Sequence, residues 1–148
     1  EMRVDAAPID GLKIGASYID FSQAGSGKSD QLPESGAYYA TYSTGPISVG
    51  ARGSSVDSGT AGSTTKDVEA YAIAFNVNDN MSISLATQDV EYDRTAGGTN
   101  TTETIDAINA SYTMGAASVR ATVSEASDDA GVAGSDDEHM EISLVLSF

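Results

Sequence analysis

The chain contains no cysteine and no tryptophan, three prolines, and seven lysines and arginines against 22 aspartates and glutamates. Without cysteine there is no disulfide framework and no thiolate metal site. The net charge of −15 argues against nucleic acid as a partner, because neutralising phosphates requires an excess of cations. No stretch approaches the roughly 18 consecutive apolar residues of a membrane-spanning helix, which excludes a helical membrane protein. A strongly acidic chain with few aromatics suits disorder, but regularly spaced apolar residues speak against that. The sequence starts at Glu1 with no basic n-region and no apolar h-region. It therefore reads as a mature or truncated product whose export signal lies elsewhere.

What is present is a period of two. Met140, Ile142, Leu144, Leu146 and Phe148 alternate with His139, Glu141, Ser143, Val145 and Ser147. A helix would scatter these residues around its circumference, whereas a strand separates them onto two faces. The same alternation recurs around residues 12–19, 47–54, 69–77, 81–86, 105–114 and 116–125. The Tyr-rich stretch 36–43 reads as a further strand with less definite facing. This predicts eight strands of about nine to eleven residues, long enough to cross a bilayer at a steep tilt. Met2, Val4 and Ala6, alternating with Arg3 and Asp5, look like the end of a ninth, truncated strand.

The connections alternate in length. Pro8–Gly11, Thr44–Pro46, Asn78–Asn80 and Gly115–Ala116 are short and carry turn chemistry. Between them lie long polar segments, Ser22–Glu34, Asp57–Lys66, Asp93–Glu103 and Ser127–Glu138. An outer-membrane barrel puts its short turns on the periplasmic side and its long loops outside. A soluble sandwich has no reason to gather every long connection at one end. Pattern alone does not say whether the apolar face meets lipid or fills a core. The abundance of Ala, Gly and Ser on both faces makes a poor core and suits a lipid-facing surface.

The segment His139–Phe148 resembles the terminal signature of outer-membrane barrel proteins, alternate apolar residues closing on an aromatic one. Leu12-Lys-Ile-Gly-Ala-Ser-Tyr18, Ile47-Ser-Val-Gly-Ala-Arg52 and Asn109-Ala-Ser-Tyr-Thr113 resemble the strand wording of Gram-negative general porins, especially the alphaproteobacterial type. The resemblance covers essentially the whole chain. It implies an all-β, antiparallel, up-and-down transmembrane β-barrel, the eight strands here forming half of a sixteen-stranded barrel. Residues 1–148 are then a single barrel domain or, as the short first strand favours, a C-terminal half-barrel. It also implies a homotrimer in the bacterial outer membrane, surrounded by lipid and lipopolysaccharide. Phe148 would be read by the barrel-assembly machinery, and the family's constriction loop would lie outside this chain.

Candidate functional residues follow from the faces. Arg3, Lys13, Arg52 and Arg120 fall on the polar face near short turns, and are expected to cluster at similar depth as a basic pore wall. The plainer reading pairs them with nearby carboxylates. Asp128, Asp129, Asp136, Asp137 and Glu138 form an acidic loop able to hold Ca²⁺ or Mg²⁺, although their spacing is not that of an EF-hand and a solvated loop is the simpler reading. Tyr18, Tyr42, Tyr71, Tyr112, Phe75 and Phe148 are candidates for interfacial girdles. Ala24–Ser29 has part of a phosphate-loop pattern in the wrong setting and is rejected. His139 is the sole histidine and no nucleophile motif occurs, so neither an enzyme nor a resident cofactor is expected. Asn100-Thr-Thr102 has the form of a glycosylation site, irrelevant to a bacterial chain.

The resulting expectation is a passive diffusion channel for small hydrophilic solutes. Two rivals remain. One is a closed eight-stranded barrel with a structural or adhesive role, whose lumen side chains would fill. The other is a soluble extracellular β-sandwich with acidic, cation-binding loops.

Overall fold

The computed structural model describes residues 1–20, 34–57, 64–94 and 98–146. They form nine strands: β1 (Met2–Ala6), β2 (Leu12–Asp20), β3 (Glu34–Thr44), β4 (Ile47–Asp57), β5 (Thr64–Asn78), β6 (Met81–Arg94), β7 (Thr101–Met114), β8 (Ala117–Ser127) and β9 (Asp137–Leu146). All nine belong to one antiparallel sheet in strict sequence order. Among the described residues there is no second sheet, so a sandwich is not what this chain builds. Nor do β1 and β9 pair with each other, as a closed small barrel would require.

The turns follow from their residues. Gly11 has φ +77°, and a Cβ there would run into the carbonyl oxygen of Ser43. Only glycine meets both demands. Asn78 accepts a hydrogen bond on its side-chain oxygen from the Asn80 amide at 2.9 Å, closing the β5–β6 turn. The expected short turns are therefore all present.

Register sorts the side chains. Met2, Val4 and Ala6 share a face with Ile14, Ala16 and Tyr18. Through successive pairs that face continues to Ile47, Phe75, Ile83, Ala110, Ala121 and Ile142. Nothing in the described structure covers it. Met140, Ile142 and Leu144 are 72%, 70% and 62% exposed. A continuous apolar sheet face of this extent is untenable in water, and the reasonable solvent for it is hydrocarbon.

The ladder is also staggered. Leu12, at the first turn, stands opposite Tyr42, and the second turn closes two residues further on, at Thr44 and Ile47. Ile47 aligns through Phe75 with Ile83, and the third turn begins two residues further, at Met81. Met81 faces Tyr112, and the fourth turn closes two residues further again, at Met114 and Ala117. The stagger is thus one residue per strand. With about 3.3 Å per residue and 4.8 Å between strands, that is a tilt of about 35°, the tilt of strands in a transmembrane barrel.

The strands exceed expectation on one side. β5, β6 and β7 have 15, 14 and 14 residues, against the nine to eleven anticipated. Apolar alternation ends where the apolar face ends, but strand pairing does not. Thr65, Asp67, Glu91 and Thr102 continue the ladder beyond it; of these, the sequence pattern assigns Thr65 and Thr102 to the ends of long loops.

Candidate functional site

The outer face is bordered. At the long-loop end each strand from β2 to β9 carries an outward carboxylate: Asp20, Glu34, Asp57, Glu69, Asp89, Asp106, Glu125 and Glu138. Asp20, Glu34 and Asp57 share one rung; Glu69 and Asp89 another; Asp106, Glu125 and Glu138 a third. The rungs descend with the same slant as the turns. Eight to ten residues separate carboxylate from turn in β2, β3 and β7. At that tilt this is about 25 Å, the height of a barrel's apolar band.

Aromatic side chains line both borders. Tyr18, Tyr38 and Tyr71 sit just inside the carboxylates, and the Tyr71 hydroxyl donates to Glu69 Oε2 at 3.3 Å. Tyr42, Phe75 and Tyr112 sit near the short turns, all of them outward and exposed. Rings with one apolar body and a polar tip belong at such borders. Phe148 lies outside the described residues.

The opposite face is polar and lined with small side chains. Near the short turns it is knitted by cross-strand hydroxyl and amide contacts: Ser43 with Ser48 at 2.9 Å, Ser82 with Ser111 at 2.7 Å, and the Thr122 hydroxyl donating to Asn109 at 2.7 Å. Arg3, Lys13, Arg52 and Arg120 all fall on this face, on four different rungs. Arg3 Nε donates to Asp5 at 2.7 Å, Tyr39 donates to the same carboxylate at 2.8 Å, and Arg52 donates to Gln88 at 2.7 Å. Arg3, Asp5, Tyr39 and Arg52 border one shallow depression. Arg120 stands four strands from Arg52, about 19 Å along the ladder, beside Ser82, Ser84, Asn109 and Ser111. The four cations thus share a face but no rung.

The acidic loop is divided. Asp128 is turned into it, accepting from the Gly134 amide at 2.6 Å. Asp137 lies on the polar face of β9 and Glu138 on the outer one. Among the described residues no three His, Asp or Glu side chains converge closely enough to hold a metal ion. His139 stands 3.9 Å from Glu141, both on the polar face.

A family model for Gram-negative porins matches residues 3–146. The chain belongs to the Gram-negative porin family. A search of curated proteins returns no match. Membership gives the bordered apolar face its meaning in this porin: it is the surface that faces the membrane, and the small polar face is the channel side. The same family speaks for a channel and against an enzyme. Sequence reasoning missed Tyr39, Gln88, Tyr92, Arg94 and Glu103 on the channel side. The last three lie at the end of β6 and the start of β7, where apolar alternation offers no guide.

Proposed function

We propose that this porin forms a water-filled channel in the bacterial outer membrane, through which small hydrophilic solutes diffuse passively. The observation that carries the reading is the slanted apolar band, bordered by tyrosines and carboxylates, on a single sheet whose other face is polar. Selection is by size and by wall charge, with Arg3, Lys13, Arg52 and Arg120 as the basic contribution. Small Ser, Ala, Gly and Thr side chains on the polar face leave a lumen open, where larger ones would fill it.

Among the described residues β1 and β9 each pair on one side only, and unpaired edges are untenable in hydrocarbon. We read β2–β9 as the eight strands of the C-terminal half of a sixteen-stranded barrel of the alphaproteobacterial type, with the five-residue β1 as the end of the strand before them, the whole assembled as a trimer with Phe148 as the assembly signal. On this reading the barrel sits among lipid and lipopolysaccharide, and Ca²⁺ or Mg²⁺ at the acidic loop carboxylates would bridge them to lipopolysaccharide phosphates. The test is single-channel recording from the purified full-length protein in planar bilayers. Stepwise, ohmic current in KCl is expected. A protein that folds and inserts yet carries no current would refute the channel.

A further inference from the structure

A single uncovered sheet has no reason to bury anything on its polar face, yet this one does. Among the described residues Val90, 8% exposed, is the buried apolar side chain, and Glu103, 7% exposed, the buried charged one. They are direct cross-strand partners on the polar face of β6 and β7. What covers that stretch of wall is the connection between β8 and β9, whose 3₁₀ turn at Asp129–Gly131 contacts both strands.

The contact is specific. The Arg94 guanidinium donates to the Gly131 carbonyl at 2.7 Å. The Gly131 backbone lies on the Tyr92 ring so closely that a Cβ would stand 2.7 Å from ring carbons. Gly131 has φ +71°, so conformation and space both require glycine. Tyr92 is itself fixed, donating to Glu103 Oε2 at 2.8 Å, with the Lys66 ammonium 4.8 Å from its ring centre.

The loop is a formed body rather than a slack strap. Asp129 and Val132 donate backbone bonds to Ser135 and Asp129 at 2.6 and 3.0 Å, and Gly131 to Asp128 at 2.9 Å. Asp128 and Ala130 have φ +55° and +54°, a left-handed conformation that aspartate visits readily and alanine rarely.

We propose that the β8–β9 loop is a fixed constriction at the long-loop mouth of the pore, latched to the wall by Arg94 and seated on Tyr92, and that its carboxylates make this mouth prefer cations. The inference rests on the channel reading, because it takes the polar face as the lumen wall. Asp128, Asp129 and Asp136 on the loop, with Glu103 and Asp137 beside it, outnumber Lys66 and Arg94. Charge of one sign at a narrow, low-dielectric mouth concentrates counter-ions there. Arg94 is a positioning residue: it holds the loop and need not touch a permeating solute.

The test compares full-length wild type, Arg94→Ala, Gly131→Val and the double variant Asp129→Asn, Asp136→Asn in planar bilayers under a KCl gradient. Arg94→Ala separates the two roles of the arginine. As a charge alone, its loss would raise cation preference. As a latch, its loss lets the acidic loop leave the mouth, so conductance rises about twofold while cation preference falls. Gly131→Val should do the same by pushing the loop off Tyr92. The double Asn variant keeps the latch and should move the reversal potential toward zero. Wild-type conductance with all three variants matching wild type, or with Arg94→Ala gaining cation preference, overturns the constriction and leaves the channel standing. No conductance from wild type overturns both.

Discussion

At the scale of residues, two adjacent tyrosines show what decides facing where period two is silent. Tyr38 and Tyr39 are neighbours, so alternation cannot sort them, and the stretch 36–43 has no definite face in sequence. The partner glycines sort them. Tyr39 lies across from Gly15 on the channel side, and Tyr38 across from Gly53 on the lipid side. Each ring occupies the space a Cβ would take on its glycine, a cross-strand pairing in which the aromatic covers bare backbone. Gly15→Val should therefore push the Tyr39 ring aside and break its hydrogen bond to Asp5, costing about 1–3 kcal/mol. Gly36→Val is the control, because its Cβ would meet nothing nearer than 3.9 Å and would face lipid. Urea unfolding in lipid vesicles measures both; equal midpoints for the two variants would contradict the pairing. Arg94 and Glu103 were illegible for another reason. Their roles depend on a loop folding back over the wall, and no local pattern encodes that.

At the scale of elements, β9 was the most legible strand and is where facing can be tested most sharply. Ile142 and Leu144 stand on the uncovered face, while Ser143 lies between them on the channel side, opposite Arg120. Ile142→Arg puts a charge toward hydrocarbon and should cost about 2–4 kcal/mol near the bilayer midplane. Ser143→Asp puts a charge one residue away into water, across from a cation, and should be neutral or stabilising by up to about 1 kcal/mol. Folding titrations in vesicles read the difference, and comparable losses for the two would mean the faces are assigned backwards. The long-loop ends of β5, β6 and β7 were less legible because their outward residues are acidic or hydroxylated. They remain strands because pairing, unlike alternation, needs only backbone donors and acceptors.

At the scale of the whole molecule, topology was legible and shape was not. Alternating short and long connections already implied an up-and-down meander. The stagger of one residue per strand is a relation between strands, so no single stretch of sequence displays it. That stagger makes the turns and the carboxylates two parallel borders at a constant height, and so gives the sheet two ends with different neighbours. These 148 residues contain no cysteine, so a thiol introduced among them is their sole target for a maleimide, and labelling is read against the unsubstituted protein. Ser135→Cys lies in the β8–β9 loop and Asp79→Cys in the β5–β6 turn. With a maleimide on a polymer too large for the pore, intact cells carrying Ser135→Cys should be labelled and those carrying Asp79→Cys spared. Permeabilising the outer membrane should then expose the second position. Labelling of Asp79→Cys alone in intact cells would invert the barrel, and equal labelling of both would mean that the band does not span a membrane.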